Sequence, residues 1–168
     1  MLTSHELLGF MSPSLALEIL TYAYESDKPL YRTALAAVAE ARKVRSVFLE
    51  RQPRQQRHAT MLSTLTRPAL NLVTGNLIRA WLLKKYNGML VDFLNALEIP
   101  HQEGVVEDLP ASADDAKLRA AVDALLGKYP IEVVAVYLHA FSEMNEVDWP
   151  NLKAMLDTEP RLQLGTTA

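Results

Sequence analysis

Apolar residues recur along this chain at spacings of three and four, and prolines punctuate the runs. That period belongs to an amphipathic α-helix, and proline suits a helix's first turn but disrupts its interior. Together they predict a helix from about 13 to 25, with Leu17, Leu20 and Tyr24 in register. A longer, Ala-rich helix is predicted over 29–52, a third over 53–66 and a fourth over 68–85. Lys84 and Lys85 suit the negative end of the fourth helix, and Gly88 offers a left-handed cap beyond it.

Leu90, Phe93, Leu94 and Leu97 mark a fifth helix over 89–98. Ser112 with Asp115 has the form of a capping box and opens a sixth over 113–128. Pro130 begins a seventh to Met144, apolar round most of its surface, and Pro150 begins a short eighth to Thr158. No stretch alternates with a period of two, so the expected fold is all-α, an irregular single-domain bundle of about seven to nine helices over 1–160 without significant sheet. The one long connection, 99–110, has room for a brief extended piece at 105–106. It allows a subdivision into 12–98 and 111–158, and 161–168 is expected to fray.

Composition changes this picture little. An apolar share of 49% and a charged share of 22% are ordinary for a soluble globular chain. The absence of cysteine excludes disulfides, thiolate metal sites and cysteine nucleophiles. No apolar run approaches the roughly 20 residues of a membrane span, and residues 1–10 lack the basic start of a secretory signal. The expectation is a cytoplasmic protein that does not engage a membrane.

Charge is distributed unevenly. Residues 42–85 hold ten Lys and Arg against one acid, Glu50, a net of +9, whereas 86–168 hold five bases against fourteen acids, a net of −9. Within the basic stretch, Arg42 and Arg45 interrupt the stripe Tyr31, Leu35, Val38, Leu49 of the predicted 29–52 helix. Arg51, Arg54 and Arg57 follow at steps of three. Arginines of this kind clamp phosphates or carboxylates when they face a groove. Alternatively, their stems lie along the stripe's edge and pair with acids of the C-terminal half.

On the seventh helix Glu132, His139 and Glu143 share one face, at spacings of seven and four. Such a set serves as metal ligands or as a general acid–base pair, or is simply the helix's one solvated edge. About two turns separate Glu132 from His139, roughly 10 Å, too far for one ion without further ligands, so no metal is assigned. No phosphate-binding glycine loop, His-x-x-x-His or Gly-x-Ser-x-Gly occurs. No cofactor is expected, and catalysis is disfavoured.

The reading is therefore a non-enzymatic interaction or adaptor module, or a self-associating one, with Arg42, Arg45, Arg51, Arg54 and Arg57 as the anion- or partner-binding residues. The apolar opening segment, with Leu7, Leu8, Phe10 and Met11, is a further contact between copies. Phosphate binding to nucleic acid through the arginines of 42–57 ranks second, below a protein partner or homo-oligomer. A metal-dependent or hydrolytic enzyme using His139 ranks third. Nothing in the sequence names a small-molecule ligand.

Overall fold

The structure, a computed structural model, describes residues 2–165. They form ten α-helices and two 3-10 turns, and among them there is no strand, only an isolated bridge between Gln102 and Val105. The chain is all-α. Its contacts divide it into two compact units, Thr3–Trp81 and the chain from Leu82 onward with Leu2. The division falls inside a helix rather than at the 99–110 connection.

The first unit contains α1 (Ser4–Phe10), α2 (Pro13–Ser26), α3 (Lys28–Ala41), α4 (Ser46–Glu50), α5 (Arg54–Leu65), the 3-10 turn Pro68–Leu70, and α6 (Asn71–Lys85) as far as Trp81. Proline starts these elements as the sequence predicts: Pro13 and Pro29 lie in first turns, and Pro53 is the residue before α5. α3 packs against α2, α4 and α5, while α1 and α2 also pack against α5. Ile19, Leu20, Ala34, Val38, Met61 and Leu65 are buried. The opening segment is mostly covered within the chain: Leu7, Leu8 and Met11 are buried and Phe10 is half exposed.

The predicted 29–52 helix is broken at 42–45. Lys43 adopts φ 57°, and the Val44 N–H donates to the Ala39 carbonyl at 3.0 Å, a Schellman end with a lysine where glycine is usual. The stripe carrying Arg42 and Arg45 is therefore not one helix face. Arg42 caps α3, and Arg45 stands at the N-cap of α4.

The second unit holds the last turn of α6, then α7 (Asn87–Ala96), α8 (Asp115–Lys128), α9 (Ile131–Met144), α10 (Pro150–Thr158) and the 3-10 turn Pro160–Leu162. α7 packs on α8, and α9 packs on α8, α10 and the final 3-10 turn. Phe93 meets Tyr137 and Phe141 edge-on at 5.5 and 5.4 Å, and Phe141 tilts against Trp149 at 5.7 Å.

Three further expectations are corrected and one is narrowed. Gly88 is not a helix cap but lies in the first turn of α7, which follows α6 after a single residue, Tyr86. The cap of α8 is Asp114 rather than Ser112: it accepts from the Lys117 N–H at 3.0 Å, while the Asp115 carboxylate accepts from Asn151 at 2.7 Å. At 105–106 the expected extended piece is reduced to Val105, which bridges Gln102 across a tight turn at Glu103 and Gly104, both with positive φ. The tail does not fray at 160–162, where Leu162 is fully buried; residues 166–168 lie outside the described residues.

Gly104 is required where it stands. Its φ is +88°, and a Cβ there would lie 3.1 Å from the Leu90 Cβ and 3.3 Å from the Asn87 side-chain nitrogen. Gly104→Ala is expected to destabilise by about 1–3 kcal/mol. An unchanged urea midpoint would show that the turn has another conformation open to it.

Candidate functional site

The candidate site forms where the end of α2, the start of α3 and the start of α5 meet. On α5, His58, Met61 and Leu65 follow the helical period along the buried face, so the imidazole takes the core position nearest the helix start. Tyr31 takes the corresponding first core position of α3, ahead of Ala34, Leu35 and Val38. Tyr24 projects from the last turn of α2. The three rings pack edge to face: Tyr24 to Tyr31 at 5.2 Å, Tyr24 to His58 at 5.4 Å and Tyr31 to His58 at 5.6 Å.

Hydrogen bonds fix this cluster. The Arg57 Nε–H donates to the Tyr31 phenol oxygen at 2.8 Å, and the phenol lies 3.0 Å from His58 Nε2. With the phenol oxygen accepting from Arg57, its own proton goes to His58 Nε2, which leaves the imidazole proton on Nδ1. Arg57 Nη1 also donates to the Glu50 and Gln52 carbonyls at 3.2 and 3.4 Å, satisfying the exposed end of α4. Arg57 thereby ties α4 to α5 and α3.

Three cations gather on one ring. The Lys28 Nζ lies 4.0 Å from the Tyr24 centroid, and the guanidinium carbons of Arg54 and Arg57 lie at 5.2 and 5.7 Å. Ring faces attract cations, but the cations repel one another. Among the described residues none of the three is ion-paired with a carboxylate; the described ion pairs all join residues from Asp92 onward. Burial, then the charges of Arg57 and Arg54, pushes the His58 pKa down to about 4. Burial is also the main cause that raises Tyr31, against the opposing hydrogen bond from Arg57. A neutral, buried His58 whose Nε2 is held by Tyr31 serves as an acceptor and a packing element rather than as a proton shuttle near neutral pH.

Of the five arginines singled out in the sequence, Arg54 and Arg57 join this cluster. Arg42, Arg45 and Arg51 are exposed around α4, where Arg42 donates to the Thr64 hydroxyl at 3.2 Å. Between them α4 and its approach expose Val44, Val47 and Phe48, the last 57% accessible. The contrast with the other Schellman ends is informative. Ile99 and Val147, which follow Glu98 and Glu146 as Val44 follows Lys43, are buried, and Val44 is not.

His139 does not lie on a solvated edge. Residues 133–142 of α9 are buried without interruption, and His139 is among them. Its Nδ1 accepts from the Leu2 N–H at 3.2 Å and its Nε2–H donates to the Leu162 carbonyl at 3.0 Å. Both nitrogens are spent on tying the two ends of the described chain to α9, and burial lowers its pKa. Glu132 and Glu143 remain half exposed. Among the described residues no group of three or more His, Cys, Asp or Glu is placed to hold a metal ion, and no helix is long and apolar enough to cross a membrane.

Sequence reasoning missed Lys28, Tyr24, Tyr31 and His58 as parts of a site. Tyr24 and Tyr31 each occupy an apolar helical register, and His58 reads as one more polar residue of a basic stretch. No local spacing brings the three together. Comparison with known proteins finds no matching family model, curated protein or solved structure.

Proposed function

We propose that this chain is a non-enzymatic interaction module that docks an acidic segment of a protein partner, carrying at least one apolar side chain, on the α4 corner. The observation that carries this reading is Phe48, exposed with Val47 on a helix bordered by Arg42, Arg45 and Arg51, none of which is paired with a carboxylate among the described residues. An aromatic anchor ringed by arginines is the composition of an interface hot spot, and the positive rim selects and steers an acidic partner.

A nucleic-acid strand fits less well. Stacking along a strand needs successive open ring faces. Trp81 is buried, and Lys28 sits over Tyr24, which leaves Phe48 as the exposed aromatic of the basic stretch.

The test is fluorescence anisotropy with a labelled peptide of alternating Glu and Leu, at low and at physiological salt, beside single-stranded DNA and RNA. The peptide is expected to bind with an affinity that weakens as salt rises. Phe48→Ala and Arg45→Glu are each expected to weaken it at least about tenfold. Peptide binding indifferent to Phe48→Ala, or nucleic acid bound more tightly than the peptide, would overturn the proposal.

A further inference from the structure

We infer that the Lys28–Tyr24–Arg54–Arg57 cluster takes a phosphate monoester on the docked partner segment, so that the module prefers a phosphorylated partner to a merely acidic one. This inference rests on the docking reading and adds a second, chemically distinct contact to it, the cation cluster on Tyr24. The two places are linked, because Arg57 donates to carbonyls at the end of α4 and to Tyr31 in the cluster.

The charge count favours a phosphoryl group. A carboxylate brings one negative charge, whereas a phosphate monoester brings about −1.5 to −2 near neutral pH and three acceptor oxygens. Three cations held within 6 Å of one ring centroid are matched by the second and not by the first. Their donors are unequally committed. Arg57 spends Nε and Nη1 on the protein, which fixes its plane, while Lys28 and Arg54 make no hydrogen bond or ion pair among the described residues. Arg54 therefore remains able to grip two oxygens in a fork, with Lys28 as a mobile point charge.

The placement also costs the fold something unless an anion arrives. Arg54 is the first residue of α5 and Arg57 lies one turn on, with no acid in that turn and no side chain capping the helix. Cations at a helix start oppose its dipole, and an anion held there reverses the sign. Burial is the main cause of the depressed His58 pKa, and the charges of Arg57 and Arg54 add to it. Local rules broken in one place without compensation are expected at binding sites.

Three peptides test this, identical except for serine, glutamate or phosphoserine at one position, each with the same Leu residues and titrated by calorimetry into the whole chain. The phosphoserine peptide is expected to bind at least about tenfold more tightly than the glutamate one. Arg54→Gln and Lys28→Gln should each erase most of that advantage, and either variant keeping the full tenfold preference would overturn the inference. Equal binding of the two anionic peptides would overturn the phosphoryl inference and leave the α4 docking reading standing. If no peptide binds, both fall. Inorganic phosphate, and phosphatidylcholine vesicles doped with phosphatidylinositol phosphate, are run alongside. Inorganic phosphate competing for the phosphoserine peptide supports the site, and vesicles bound more tightly than any peptide would overturn a protein source for the phosphate.

Discussion

Phe93→Ala is expected to lower the unfolding free energy by about 3–5 kcal/mol, a larger loss than Gly104→Ala brings. Phe93 is fully buried on α7 and touches Tyr137 and Phe141 of α9 edge-on at once. Its removal loses the transfer free energy of the ring, two aromatic contacts worth about 0.5–1.5 kcal/mol each, and the packing around the cavity left behind. α9 has little freedom to collapse into that space, because its two chain-end contacts through His139 hold it on other sides. Urea unfolding followed by tryptophan fluorescence measures the change, since Trp149 packs on Phe141. A loss under about 1 kcal/mol would mean that the aromatic cluster repacks freely.

The second large effect is a loss of stability in mild acid that runs through His58. In the folded chain its pKa is about 4, whereas an unfolded histidine titrates near 6.5. Above pH 6.5 the imidazole is neutral in both states and its contribution is fully present. Between the two pKa values only the unfolded state takes up the proton, so stability falls as the pH drops from about 6.5 toward 4. The ceiling on the loss is about 3 kcal/mol, at roughly 1.4 kcal/mol per pH unit. The groups that face the ring are Tyr24, Tyr31, Arg54 and Arg57. His139, also lowered by burial, acts in the same direction. His58→Gln, which retains an acceptor for the Tyr31 hydroxyl, should flatten the pH dependence between 6.5 and 4.5. An identical pH slope in the variant would show that other groups carry the acid lability.

The two effects are legible in the sequence to different degrees. The helical register of Leu90, Phe93 and Leu94 is enough to mark Phe93 as a core residue. The fate of His58 is not marked, because a histidine on a helix among arginines reads equally well as surface. The same limit applies to the helix ends. Prolines announce where helices begin, since the ring's chemistry is local. Three helices end on Lys43, Glu98 or Glu146 in the left-handed conformation, and with no glycine there the break at 42–45 leaves no trace in the sequence. At α8 two acceptable caps compete, and a tertiary bond from Asn151 to Asp115 accompanies the choice of Asp114.

By itself the sequence determined that the chain is helical, where most of its helices start, and that its basic residues gather in 42–85. All three follow from properties of neighbours along the chain: period, proline geometry and charge count. Only the tertiary structure decided which polar residues belong together. It buried His139 against atoms 137 and 23 residues away, where the helical period suggested an edge shared with Glu132 and Glu143. It also drew Tyr24, Tyr31, His58 and two of five arginines from three helices into one cluster. A spacing rule describes one helix at a time. Where side chains of different helices converge depends on how the apolar faces pack, and the polar residues follow.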